Sequence, residues 1–425
     1  MKATAAASFA VGVGIAGWNL LNFAFFVVAG HLLGPEDYGL VAALLAVVVA
    51  AFVPMSAFQA VLARPFAIDS PDAAALARRA ITRATLVGAA LLLVAVGVIG
   101  LVAAIGPDIP SVQLVLTLAS IVPMAPMLLA LGVLQGRERF WLISAVLCFW
   151  GGLRPVGLVA LAPVIPGVNA TLSANLIATA GAACAALWLA RHDIWRELPG
   201  ASPAVWRSFQ RSLLAPLAGM AGLAILLNVD VIVAKLALDD REAGYFGAAA
   251  VLAKAGVVVA PQILGIVLLP RVADATSRGL ETRRIAAAMA LATAVIGGVG
   301  VAIGAAASKP ILRIFGTDFA AGSWMLAPFI AVLIPFAVVF ALVNYEVARS
   351  SDSFPRALGG VALLAVLLLA VAGRSVTSIL LIDLAVGILG IGIHELIAQR
   401  RGDTLLGGLT DLLGSWRRRT VNTEP

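Results

Sequence analysis

Apolar stretches of about 20 residues, separated by short polar interruptions, recur along nearly the whole of the 425-residue chain. A helix of that length crosses the hydrocarbon core of a bilayer, where every backbone group must be paired internally. A chain built this way folds as a set of spanning helices. Its charge agrees, since only 12% of its residues are Asp, Glu, Lys or Arg against 62% that are hydrophobic, about half the charge of a soluble domain.

The breaks between runs predict twelve spans, at 9 to 31, 39 to 62, 84 to 106, 112 to 134, 141 to 163, 168 to 190, 213 to 236, 244 to 269, 286 to 307, 323 to 346, 355 to 373 and 376 to 397. Lys and Arg are retained in cytoplasmic loops. With the N-terminus inside, 22 of the 29 cations fall on the inner side, from Lys2 through Arg64, Arg137 and Arg284 to the run Arg417 to Arg419. Lys235, Arg241, Lys309, Arg313 and Arg374 fall outside, and Arg154 and Lys254 lie within spans. The bias repeats loop after loop, so it supports both the even span count and cytoplasmic termini.

The net charge of +7 then reflects basic loops facing anionic lipid. No basic module with interleaved aromatics is present, so nucleic acid is not an expected partner. Cys148 and Cys184 fall within spans as small packing residues, and three histidines without ligand spacing predict neither metal nor cofactor. The first apolar run is long and lacks a small-residue cleavage site after it, which predicts a retained helix.

Two passages about 205 residues apart share an order of features. NLLNFAFFVVAGHLLGPEDYGLVAALLAVV and LLNVDVIVAKLALDDREAGYFGAAAVLAKA each run from an Asn-bearing helix through a short acidic turn and a glycine into an alanine-rich helix. Asn22 corresponds to Asn228, Gly39 to Gly244 and Arg64 to Arg271, with slips of one or two residues. Six helices separate the copies, so both take one orientation. The expected fold is all-α and integral to the membrane, with two six-helix bundles related by a pseudo-two-fold axis along the membrane normal. The lobes fall at 1–190 and 213–397, joined by an interfacial linker at 191–212, RHDIWRELPGASPAVWRSFQRS, with a basic cytoplasmic tail at 398–425.

Four passages carry a family resemblance: LLGPEDYG after the first helix, LGVLQGRERFWLISAV entering the fifth, NVDVIVAKLALDDREAGYFGAAAVLAKA across the seventh and eighth, and VLLPRVADA after them. In this order they resemble the polysaccharide-transporter branch, which includes Wzx-type flippases, of the multidrug/oligosaccharidyl-lipid/polysaccharide (MOP) exporter superfamily. The resemblance implies a MATE-like pair of lobes and a central cavity open to one side at a time. It also implies export of a polyprenyl-pyrophosphate-linked saccharide across the bacterial cytoplasmic (inner) membrane for surface polysaccharide assembly, beside a glycan polymerase or glycosyltransferases. Members often reach fourteen helices, and lipid II flippases use the extra pair as a lipid groove that twelve helices do not supply.

Charges at membrane depth are costly, about 2.5 to 3.5 kcal/mol on insertion scales, so each is a candidate for function. Arg154 stands in WGGLRPVGL among three glycines and a proline. That context is expected to break helix five beside a cavity, where an Arg could hold a pyrophosphate or acidic sugar; pairing with an acid across the bundle is the alternative. Asp230 and Lys254 sit at similar depth in helices seven and eight, either as a structural pair or as a proton- or sodium-exchanging acid beside a substrate-binding cation. Asp383 in helix twelve is a second coupling candidate. Asn22, Asn228 and Gln59 could bind sugar hydroxyls or serve as packing glue. Glu346, His394 and Glu395 fall at inner helix ends, where they are expected to face water.

Three rival readings remain. A polyprenyl-sugar glycosyltransferase would place catalytic acids in the first outer loop, as Glu36 and Asp37 are placed. The outer loops are too short for such an enzyme, and acids recur at Asp239, Asp240 and Glu242, so the chain is expected not to be an enzyme. A multidrug-cation antiporter would favour buried acids and aromatics over two central cations. An accessory protein of glycan assembly would not transport at all.

Overall fold

The computed structural model describes residues 2–105, 110–195, 202–257, 282–349, 351 and 353–421, with isolated positions at 272, 275, 276 and 278. The end of expected helix eight with Pro261, Arg271, and the middle of the expected linker with Arg196 lie outside the described residues. So do residues 422–425 and the side chains of Arg417 to Arg419.

The described residues form helices and no strands. Ten helices are long and apolar enough to cross a membrane. The first of them is two spans, and expected helix eight, truncated by the undescribed residues, is not among the ten. The architecture therefore agrees with the predicted all-α membrane bundle.

Helix α1 (Lys2–Ala67) changes direction at one residue, Gly34, whose φ of 66° and ψ of 176° suit glycine. Pro35 follows, where a missing N–H costs nothing at a helix start. The expected break between the first two spans, residues 32–38, thus contains a single non-helical residue. The two limbs fold back on each other, bringing the Trp18 and Phe52 rings to 6.1 Å. In the second copy, α8 (Val229–Ala237) ends at extended Leu238, and α9 (Asp240–Val257) begins where Asp239 Oδ1 accepts from the Glu242 N–H at 2.8 Å.

The copies meet one another. Glu36 accepts from Arg241 Nε at 2.7 Å. A Cβ on Gly39 would lie 2.8 Å from Gly244 N, one on Gly244 would lie 1.9 Å from Pro35 O, and one on Gly247 would lie 2.7 Å from the Ala42 Cβ. Residues 36 and 241, 39 and 244, and 42 and 247 are matched positions of the repeat, spaced by three along one helical face. When matched positions touch each other, a two-fold axis passes between them. Glycine at 39 and 244 lets the two backbones approach along that axis, as small residues do between membrane helices.

Elsewhere the spans differ from expectation where proline and capping chemistry act. Expected helix four is two pieces, α3 (Ser111–Ile121) and α4 (Met124–Gly136), separated at Pro123. Helix α5 (Phe140–Leu161) runs unbroken through Pro155. This corrects the expected break: Gly151 instead lets α1 approach, since a Cβ there would lie 3.0 Å from the Leu21 Cβ. Helix α6 is Gly167–Ile194. Residues 203–212, expected as linker, open helix α7 (Pro203–Leu226), because Ser202 caps it by accepting from Val205 N at 3.3 Å and Pro203 suits the first turn. Expected helix seven breaks at Leu227 and Asn228, between α7 and α8.

Beyond the undescribed segment come α10 (Arg283–Leu312), two short 3-10 runs (Arg313–Phe315 and Thr317–Met325), α11 (Leu326–Ala348), α12 (Ser353–Ala372) and α13 (Val376–Gln399). The expected tail forms α14 (Leu405–Val421), docked on α10 through Arg283 Nε to Asp411 at 2.8 Å. Glu346 and His394 are each 1% exposed, which corrects the expectation that they face water. Glu346 lies 2.9 Å from Arg401 and 3.4 Å from His394, while Glu395 accepts from Leu405 N and Leu406 N at the start of α14.

Candidate functional site

A cavity of about 400 Å³ lies between the two copies of the repeat. Both limbs of α1, the α7–α8 junction, α9 and α11 line it. The first limb contributes Trp18, Asn19, Asn22, Phe23 and Phe26; the second contributes Phe52 and Ser56. The opposite wall has Asn228, Lys254 and Asn344, and no Asp or Glu is among the described lining residues.

Three lining asparagines each donate an amide hydrogen to the carbonyl four residues earlier. Asn19, Asn228 and Asn344 donate Nδ2 to the carbonyls of Ile15, Ala224 and Phe340 at 2.9, 2.8 and 3.0 Å. Their side-chain oxygens remain acceptors. Asn22 has the reverse polarity, because its Oδ1 accepts from the Arg154 guanidinium and its amide hydrogens remain donors.

Arg154 itself does not line the cavity. It is 6% exposed and stands behind Asn22, with its guanidinium carbon 4.3 Å from the Phe25 ring centre and 5.9 Å from that of Phe26. Among the described residues its Nε has no hydrogen-bond partner. Aromatic faces and one amide oxygen thus carry a charge that the sequence aimed directly at substrate.

Lys254 does line the cavity and donates to Asp230 Oδ1 at 3.1 Å. Asp230 is 2% exposed and Asp383 4%. Asp383 sits on α13 within electrostatic reach of both Asp230 and Lys254. The structure therefore gathers three expected residues into one cluster of two acids and one cation. Fully ionised, it would carry one uncompensated negative charge in an apolar bundle, a costly state that a proton or a cation relieves.

Gln59 lies apart from the cavity and donates to Gln135 Oε1 at 2.9 Å. Sequence reasoning missed Trp18, Asn19, Phe52, Ser56 and Asn344. Asn19 and Asn344 left a usable signal, each as an amide within a strongly apolar run. The aromatics look like any others in a membrane helix until the fold stacks Trp18 on Trp150 at 5.6 Å and sets Phe52 5.3 Å from Trp150.

No protein-family model matches the chain, and no curated protein matches it. Solved structures do. The lipid II flippase MurJ in an inward closed conformation aligns with a TM-score of 0.71 at 14% identity, over 98% of this chain and 93% of its own. An inward-facing multidrug resistance MATE family transporter of the MOP superfamily aligns at 0.69 and 13% identity, over 94% and 99%. A MOP superfamily transporter from Pyrococcus furiosus, described as having a binding pocket of reverse polarity, aligns at 0.57 and 15%, over 92% and 94%. The chain has the fold of MurJ and the MATE transporters.

Proposed function

We propose that this protein is a flippase that moves a polyprenyl-pyrophosphate-linked saccharide across the bacterial cytoplasmic membrane by alternating access. One observation carries the reading: among its described lining residues the inter-repeat cavity combines aromatic side chains, four asparagines and one lysine, with no acid. Aromatic faces and amides suit a hydroxyl-rich sugar, and Lys254 suits a phosphate or acidic sugar. The fold shared with a lipid II flippase supports the same class of cargo.

The roles follow from position. Asn22, held by Arg154, and Asn228 bind sugar hydroxyls from opposite walls, and Lys254 binds the anionic part of the substrate. An anion at Lys254 competes with Asp230 for the ammonium, so substrate binding raises the need for a proton or sodium ion at Asp230 and Asp383. That competition couples an ion gradient to movement of the lobes. The lobes rock about the axis between Gly39 and Gly244, the arginine-rich loops face the cytoplasm, and glycan polymerase or glycosyltransferases act on either side of the step.

A multidrug-cation antiporter has the same fold, but a cavity whose lining charge is a lysine repels organic cations. A glycosyltransferase would need Glu36 free for catalysis, whereas it pairs with Arg241. The test is flipping of a fluorescent lipid-linked oligosaccharide in proteoliposomes. Transport that is saturable and lost in Lys254→Ala supports the proposal. Export of ethidium with no flipping would replace it with the antiporter reading.

A further inference from the structure

Helix α2 (Ala73–Ile105) departs from its neighbours because none of its most apolar 18-residue stretch is buried. Leu86 and Val87 are exposed there, as is Leu214 on α7. At the arginine-rich ends of these helices, Trp206 of α7 takes two guanidinium groups from α2. The Arg79 and Arg83 guanidinium carbons lie 4.9 and 4.8 Å from its ring centre. Arg207 and Arg211 follow on α7, and both are exposed, as is Arg83. Neither α2 nor α7 contains an Asp or Glu.

Arginine stacked on an indole uses the face of its guanidinium. For the exposed Arg83 the in-plane N–H groups stay at the edge, where they form the fork that matches phosphate oxygens. Tryptophan favours the depth at which headgroup meets acyl chain. The arginines at the helix ends and the exposed Leu86, Val87 and Leu214 further along repeat the division of a lipid into charged head and apolar chain. We propose that this surface binds the phosphate of an anionic phospholipid from the leaflet on the arginine-rich side, bridging α2 of the first copy to α7 of the second. The site is separate from the central cavity, none of whose lining residues it includes, and the inference does not depend on the flippase reading.

Native mass spectrometry of the purified full-length protein tests it, with phosphatidylglycerol and phosphatidylcholine offered together and undecaprenyl diphosphate as competitor. The wild type is expected to retain phosphatidylglycerol preferentially. Arg83→Ala with Arg211→Ala should weaken that retention about fivefold per arginine removed and leave phosphatidylcholine unaffected. Equal phosphatidylglycerol retention in the double variant would overturn the site. Displacement of wild-type phosphatidylglycerol by equimolar undecaprenyl diphosphate would also overturn it, assigning the surface to a polyprenyl carrier. If the double variant does not fold, a salt titration of the wild type decides: the preference must fall as salt rises, and a salt-independent preference refutes phosphate binding.

Discussion

The two copies of the repeat hold charge in different ways. In the first, Arg154 is a permanent cation, enclosed by Phe25 and Phe26 and joined to the cavity only through Asn22. In the second, Asp230, Lys254 and Asp383 form a cluster of two acids and one cation, with Lys254 on the cavity wall. Arginine does not lose its proton in a protein, whereas a carboxylate readily exchanges a proton or cation. Under the proposed function the difference assigns a division of labour: the first copy would orient substrate through a fixed charge, and the second would exchange an ion.

Between these sites, the matched glycines hold the copies together, and disturbing them should have the largest effect. Gly244→Ala places a Cβ 1.9 Å from the Pro35 carbonyl oxygen, backbone that cannot give way. Overpacking of this kind costs about 1–3 kcal/mol, so thermal unfolding in detergent should fall by several degrees and flipping should collapse. Gly39→Ala, with its nearest atom at 2.8 Å, should lose less. Equal losses would mean that the axis is symmetric in tightness as well as in position.

Next in size is the charge comparison itself. Arg154→Ala should cut flipping about tenfold, by releasing Asn22, while leaving the response to an ion gradient intact. Normal flipping would remove Arg154 and Asn22 from the site. Arg154→Lys should recover only part of the rate, because an ammonium does not reproduce the planar stacking on Phe25.

The smallest effect is expected at Glu36. Its pair with Arg241 is exposed on both sides, and such pairs contribute little. Glu36→Gln should change flipping by about twofold or less, measured with the same lipid-linked sugar. A loss as large as that of Gly244→Ala would show instead that the pair latches the two copies, and loss of all glycan assembly without loss of flipping would revive catalysis at this turn.

Much of the fold was legible because hydropathy and the repeat each report on it independently. Proline and serine chemistry decided what hydropathy could not. Ser202 and Pro203 start α7 within the expected linker, and Pro155 sits in α5 without breaking it. Site geometry was less legible for a physical reason. A membrane helix is apolar on every face, so its sequence does not say which face meets the cavity. Arg154 could therefore be singled out by its charge but not placed behind Asn22, and Trp18 and Phe52 could not be singled out at all. The proximity of Asp383 to Asp230 depends on how α13 packs against α8, which lies beyond any local signal.

The most direct measurement is ion-gradient-dependent flipping of a lipid-linked saccharide in proteoliposomes, compared between Asp230→Asn, Asp383→Asn and Arg154→Ala. The account predicts that either Asp variant flips at one rate with or without a proton or sodium gradient, while Arg154→Ala flips slowly and still responds. Gradient dependence that survives both Asp substitutions, or disappears in Arg154→Ala alone, would contradict it.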